Sequence, residues 1–264
     1  MDVTSVLPAV SAAVTDAVTS PETAEGYVTV RELLYKGWLG LLAEKNSIPL
    51  WVWIAAIVFC AVLGYLLGSI NCAVVISKLK YGDDIRKHGS GNAGATNMSR
   101  TYGKSAGIAT LLGDVLKTVA AVTVARFLCG DVIAYMTGMF CAFGHAFPCY
   151  YGFKGGKCVA VTAAMALALD PIVFIIAFAV FALVLAGTKY VSLSSISAAL
   201  MYPLILNNLM KIRYGHGDLR IVFVLVVCVL IIFLHRENIK RLIDGKENKF
   251  SFGKNSGKRN SSEK

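Results

Sequence analysis

The chain has 264 residues, 56% of them hydrophobic and only 16% charged, with a mean hydropathy of +0.63. Soluble domains carry about 25% charged and about 45–50% apolar residues, so the composition argues for a bilayer rather than water as solvent. The net charge of +10 would suggest nucleic acid in a soluble protein, but here the cations lie between long apolar runs, so membrane topology accounts for them and no nucleic-acid partner is expected.

Residues 1–50 are mixed and weakly periodic, with six acids and three bases. They lack the basic start and apolar core of a cleavable signal peptide. The segment reads as an extracytoplasmic extension with a short amphipathic helix near residues 30–42.

Seven apolar stretches follow, at about 51–76, 105–128, 132–147, 157–169, 171–187, 192–208 and 219–235. A spanning helix needs about 20 mostly apolar residues. The fourth is short and alanine-rich. The expected fold is therefore all-α, a polytopic transmembrane helix bundle of about seven spans. With the N-terminus outside, 18 of the 26 Lys and Arg residues fall in the inner loops and tail, against seven on the outer side. That bias places the C-terminus in the cytoplasm. The membrane domain then covers 51–244, and 245–264 reads as a disordered, basic cytoplasmic tail. The seven cysteines form no CxxC pair, so neither a metal site nor a disulfide framework is indicated.

The first inner loop holds Gly89-Ser90-Gly91-Asn92-Ala93-Gly94-Ala95-Thr96-Asn97-Met98-Ser99-Arg100. Three glycines in six residues let backbone N–H groups converge on an anion. Ser90, Asn92, Thr96 and Asn97 add short donors, and Arg100 adds a planar charged fork suited to phosphate. A flexible basic loop would explain the charges but not the dense glycines and small donors.

The second inner loop carries His145 and the run Lys154-Gly155-Gly156-Lys157 before an apolar helix, a second anion cradle. It is not a Walker A loop, because Cys158 stands where Ser or Thr would be needed. His145 is read either as structural or as a site residue. In the third loop, Ser192, Ser194 and Ser195 either cap the sixth stretch or donate to a phosphate there. His235 and Asn238 lie three residues apart, on one helical face beyond the last stretch. Inside the second stretch, Asp114 and Lys117 either neutralise each other or line a polar cavity. There is no HxxxxD or HExxH motif, and no nucleophile–base triad is indicated.

These motifs, in this order, resemble the bacterial acyl-phosphate:glycerol-3-phosphate acyltransferases. GSGNAGATNMSR, GHAFPCYYGFKGGK, VSLSSI and HRENIKRL carry the resemblance, with GIATLLGDVLKT similar to the family's second helix. It spans about residues 60–250. The resemblance implies an inner-membrane enzyme without cofactor or metal. It would transfer an acyl chain from acyl phosphate to the 1-hydroxyl of glycerol 3-phosphate, giving lysophosphatidate among membrane lipids. It implies phosphate-binding roles for Ser90, Asn92, Thr96, Asn97, Arg100, Lys157, Ser194 or Ser195, His235 and Asn238. Of these, Ser90, Arg100, Lys157, His235 and Asn238 are the expected catalytic set. Gly89, Gly91, Lys154, Gly155 and Gly156 complete the expected phosphate site. Two departures stand out: Cys158 where the family usually has glycine, and Asn71-Cys72 where proline is common. The competing expectation is an organic-phosphate membrane transporter.

Overall fold

The computed structural model describes residues 30–215 and 218–249. Most of the expected N-terminal extension (1–29) and the end of the expected tail (250–264) lie outside the described residues. All regular structure described is helical: α1 (Val30–Lys45), α2 (Leu50–Ser69), α3 (Cys72–Tyr81), α4 (Ala95–Tyr102), α5 (Lys104–Cys129), α6 (Asp131–Ala146), α7 (Val159–Leu169), α8 (Pro171–Thr188), α9 (Val191–Tyr214), α10 (Arg220–Leu234) and α11 (Arg236–Ile243), with short 3₁₀ turns at Ile85–Lys87 and Cys149–Tyr151.

Five stretches are long and apolar enough to cross a bilayer: Leu50–Tyr81, Lys104–Cys129, Asp131–Tyr151, Pro171–Thr188 and Val191–Tyr214. A sixth is added if α10 and α11, bent by 54° at His235, form one span. The protein is thus a multi-pass membrane protein. Each of the seven expected stretches falls on a helix, but the seventh-span count depends on α7. With 11 residues, α7 rises roughly 16 Å, about half the hydrocarbon thickness.

The first expected span is broken. Ile70 leaves helical geometry at φ −70°, ψ 93°. Asn71 then restarts the chain as α3, its side chain accepting from Val74 N at 3.1 Å. Two carbonyls freed at the break, Gly68 O and Ile70 O, accept from Lys117 Nζ at 3.1 and 2.8 Å. Lys117 also pairs with Asp114 at 2.8 Å. Both sequence readings of this pair therefore hold in part: the charges neutralise each other, and Asp114 lines a cavity.

α2 and α6 pack backbone to backbone. A Cβ at Gly68 would stand 2.2 Å from Cys141 O, and one at Gly144 2.2 Å from Tyr65 O. Small residues at the seam permit this approach, as in membrane helix pairs generally. Leu50, Val58, Phe59, Ile175 and Leu183 face outward on α2 and α8. In water such surfaces would be liabilities; in lipid they are the solvent-facing side.

One end of the bundle is sealed by ion pairs. Arg126 and Arg220 hold Asp131 at 2.6 and 3.3 Å, Arg220 also holds Asp218 at 2.6 Å, and Arg213 holds Asp170 at 2.8 Å. Arg220 is 1% exposed and lies under the rings of Tyr35 and Tyr214. Tyr35 comes from α1, which packs Leu39 onto the core beneath this network. Where one short helix was expected near residues 30–42, the chain is helical from Val30 to Lys45 but breaks at Gly37, whose φ of 71° and ψ of 170° are not helical.

Candidate active site

The other end of the bundle gathers four segments that are far apart in sequence. Asn97 organises the glycine-rich loop. Its Oδ1 accepts from Ser90 N at 3.1 Å, and its Nδ2 donates to His88 O at 2.9 Å and Asn92 O at 3.0 Å. Asn71 Nδ2 ties the loop to the helix break through Ala93 O at 3.3 Å.

Two expectations are corrected here. The amides of Ser90, Gly91 and Gly94 are already bonded to the loop or to Asn97, so these three do not serve an anion. Likewise Gly155 N and Gly156 N donate to Ala146 O and His145 O at 3.0 Å each, so the Gly-Gly turn is closed. The reason is the same in both places: a loop packed onto a helix end has protein carbonyls within reach and satisfies its own amides first.

The open donors come from elsewhere. Helices α4, α7 and α9 all begin at this cavity, and none has a side-chain cap. Uncapped first-turn N–H groups and the helix dipole favour an anion there. Arg100 and Lys157 line the same cavity, and among the described residues neither is ion-paired. Burial pushes the Lys157 ammonium down to about 8, and the positive charges of Arg241 and Arg100 act in the same direction. Lys157 Nζ donates to Asn238 Oδ1.

His235 sits at the α10–α11 bend. Its Nδ1 is 2.8 Å from Ile231 O. A carbonyl can only accept, so Nδ1 carries the proton and the Nε2 lone pair is left for the cavity that the ring lines.

All five residues of the expected catalytic set, Ser90, Arg100, Lys157, His235 and Asn238, line this one cavity of about 710 Å³. So do Gly89, Asn92, Thr96, Asn97, Ser195, His145 and Asp114. Gly91, Lys154, Gly155, Gly156, Ser194 and Lys117 do not line it. Lys154 is exposed, and its carbonyl accepts from Arg86 Nη1 at 3.1 Å. Arg86 in turn pairs with Asp84, holding that carboxyl down to about 2. This arginine staples the two loops together. Ser194 and Ser195 do not cap α9; each hydroxyl donates to the carbonyl four residues back at 2.8 Å.

The sequence reading missed Arg241 and Glu247. The expected disordered tail is ordered through residue 249, and Glu247 folds back into the cavity wall. Its carboxylate accepts from Ser192 at 3.1 Å, Asn238 at 2.8 Å and Arg241 at 2.7 Å. Burial alone would raise this carboxyl, but those hydrogen bonds hold it below the usual range. A corner that solvates a carboxylate with three side-chain donors is built for an oxyanion. The available signal was an acid set between Lys246 and Lys249 at the start of the basic tail.

Beyond the cations the cavity turns apolar. Phe174, Phe178 and Phe181 of α8 line it with Ala198 and Ala199 of α9. One end is therefore cationic and the other suits a hydrocarbon chain.

The glycerol-3-phosphate acyltransferase family profile matches residues 58–245. The chain belongs to this family. A glycerol-3-phosphate acyltransferase 2 of Bacillus anthracis is 40% identical over 191 residues, 71% of this chain and 96% of that one. The glycerol-3-phosphate acyltransferase of Clostridioides difficile is 40% identical over 198 residues, 73% and 94% of the two chains. Among solved structures, the glycerol 3-phosphate form of PlsY, an integral membrane glycerol 3-phosphate acyltransferase, superposes with a TM-score of 0.68 at 38% identity, covering 74% of this chain and 96% of that one. Its lysophosphatidic acid form gives 0.65 at 35% identity, covering 74% and 95%. The family match begins at residue 58, so α1 and its contribution to the sealed end precede it.

Proposed function

We propose that this protein transfers an acyl chain from acyl phosphate to the 1-hydroxyl of glycerol 3-phosphate, releasing phosphate and lysophosphatidate. The observation that carries the reading is the cavity itself. Three uncapped helix N-termini and two unpaired cations meet an apolar cleft between α8 and α9. An acyl phosphate has that shape: an anionic head on a hydrocarbon chain. The relatives' names supply glycerol 3-phosphate as the acceptor.

In the step, the glycerol oxygen bonds to the acyl carbonyl carbon. The carbon–oxygen bond to phosphate then breaks, and phosphate leaves with the electron pair. Arg100, Lys157 and the helix N-termini hold two phosphates together against their repulsion. Ser90, Asn92, Thr96 and Ser195 provide neutral contacts, and Asn97 acts by shaping the loop. His235 Nε2 accepts from the attacking hydroxyl and aims it, while a phosphate oxygen takes the proton. Phosphate is already a good leaving group, so positioning accounts for most of the acceleration.

We further infer that this end faces the cytoplasm of a bacterial inner membrane, that α7 and α10–α11 complete seven spans with the N-terminus outside, and that 1–50, 51–244 and 245–264 act as extension, enzyme and tail. The basic loop residues support that orientation. A transporter reading is not favoured, because the cations without a carboxylate partner among the described residues and the uncapped helix N-termini collect at one end of the bundle.

Purified protein given acyl phosphate and glycerol 3-phosphate should release phosphate and lysophosphatidate in equal amounts, while acyl-CoA as donor should give none. Equal turnover of acyl-CoA would refute the donor assignment.

A further inference from the structure

Asp114, Lys117 and His145 form a buried cluster that the transfer step above does not use. Lys117 Nζ lies 3.1 Å from Gly68 O, 2.8 Å from Ile70 O and 3.1 Å from His145 Nδ1. An ammonium has three N–H donors and no acceptor. Asp114 Oδ1, 2.8 Å from the same nitrogen, balances the charge, and an ammonium cannot accept from the ring. His145 Nδ1 must therefore be the acceptor, and the single proton of the neutral imidazole sits on Nε2. This is the opposite tautomer from that of His235.

His145 Nε2 has no hydrogen-bond partner among the described residues. The residue is 3% exposed, yet its ring lines the cavity. Only a glycine fits beside it, because a Cβ at position 156 would stand 2.1 Å from Nε2. The Nε2 atom opens onto the cavity with no protein acceptor, so a bound ligand that supplies an acceptor meets a donor already in place.

The cluster also lies at a telling depth. Asp114 is ten residues into α5, roughly 15 Å from the helix start. Leu111, one turn away, lines the same cavity. A ligand oxygen at this level sits below the loop cations, where a phosphate head gives way to an acyl chain.

We propose that the Nε2–H of His145 donates to the carbonyl oxygen of the acyl donor, and that Lys117 and Asp114 are positioning residues that fix this donor. The inference rests on the acyl phosphate reading above. As the glycerol oxygen adds to the carbonyl carbon, the carbonyl electron pair moves onto that oxygen, and a preset N–H stabilises the charge formed there.

The test uses two unreactive ligands of equal chain length: a β-keto phosphonate, which keeps the carbonyl, and an alkyl phosphate, which lacks it. His145→Phe should lower kcat by about 100-fold with KM for glycerol 3-phosphate unchanged. It should weaken the β-keto phosphonate about tenfold and leave the alkyl phosphate as tight as before. His145→Gln, which keeps an N–H donor, should recover part of the loss. Equal weakening of both ligands, or no change in either, overturns the proposal. Wild-type protein that binds neither ligand while turning over acyl-CoA refutes the acyl phosphate reading itself. The ¹⁵N spectrum of labelled wild-type protein tests the tautomer with no substitution. His145 should show a protonated Nε2 and a bare Nδ1, and the reverse pattern overturns the assignment.

Discussion

The two ends of this bundle use the same ingredients to opposite effect. At the sealed end, Arg126, Arg213 and Arg220 are each answered by a carboxylate. At the cavity end, Arg100 and Lys157 are not ion-paired among the described residues, and the carboxylate that does enter, Glu247, pairs with Arg241. A cation answered by a protein carboxylate holds a structure together, whereas one without a carboxylate is available to an anionic ligand. The difference separates architecture from function more sharply than composition does.

Removing a cation from each end gives the widest contrast. Arg100→Ala should lower kcat/KM by about 100-fold or more. Because Arg100 is exposed, the melting temperature should barely move. Arg220→Met should do the reverse. It removes the buried arginine that bridges Asp131 and Asp218, which costs up to about 3–5 kcal/mol of stability, while turnover per folded molecule stays at the wild-type level. Thermal denaturation and activity on the same preparations check both.

A titration separates the ends next. The Lys157 ammonium is held down to about 8 by burial. Its charge is present below that pH and lost above it, so KM for glycerol 3-phosphate should rise beyond pH 8, by up to about tenfold per unit. A KM flat to pH 9.5 would show that Lys157 does not hold the phosphate.

The smallest effect is expected at Cys158. It adopts φ 63°, the left-handed region that glycine enters freely. It also fills a buried space and donates to Ala142 O at 3.1 Å. Strain relief and lost packing oppose each other, so Cys158→Gly should change stability by less than about 1 kcal/mol and leave activity intact.

Much of this was legible in sequence, for local reasons. Ser90, Arg100 and Lys157 stand in compact motifs whose glycines and short donors announce an anion. His235 and Asn238 share a face because helical spacing dictates it. What the sequence hid depended on tertiary contacts. Nothing local says that Asn97 spends its amide on the loop, or that the Gly155-Gly156 amides close onto α6. Nothing in the basic run after the last span singles out Arg241, and only its bond to Glu247 shows its role in the cavity wall. The break at Ile70 was invisible inside an apolar run, yet it creates the two carbonyls that Lys117 caps and so sets the tautomer of His145.

The most direct measurement is glycerol 3-phosphate binding by calorimetry to the detergent-solubilised wild type, Lys157→Met and Arg213→Met, alongside their melting temperatures. Lys157→Met should lose binding and keep its melting temperature. Arg213→Met should keep binding and melt lower. Undiminished binding in Lys157→Met, or lost binding in a still-folded Arg213→Met, would contradict the assignment of the open end as the substrate site.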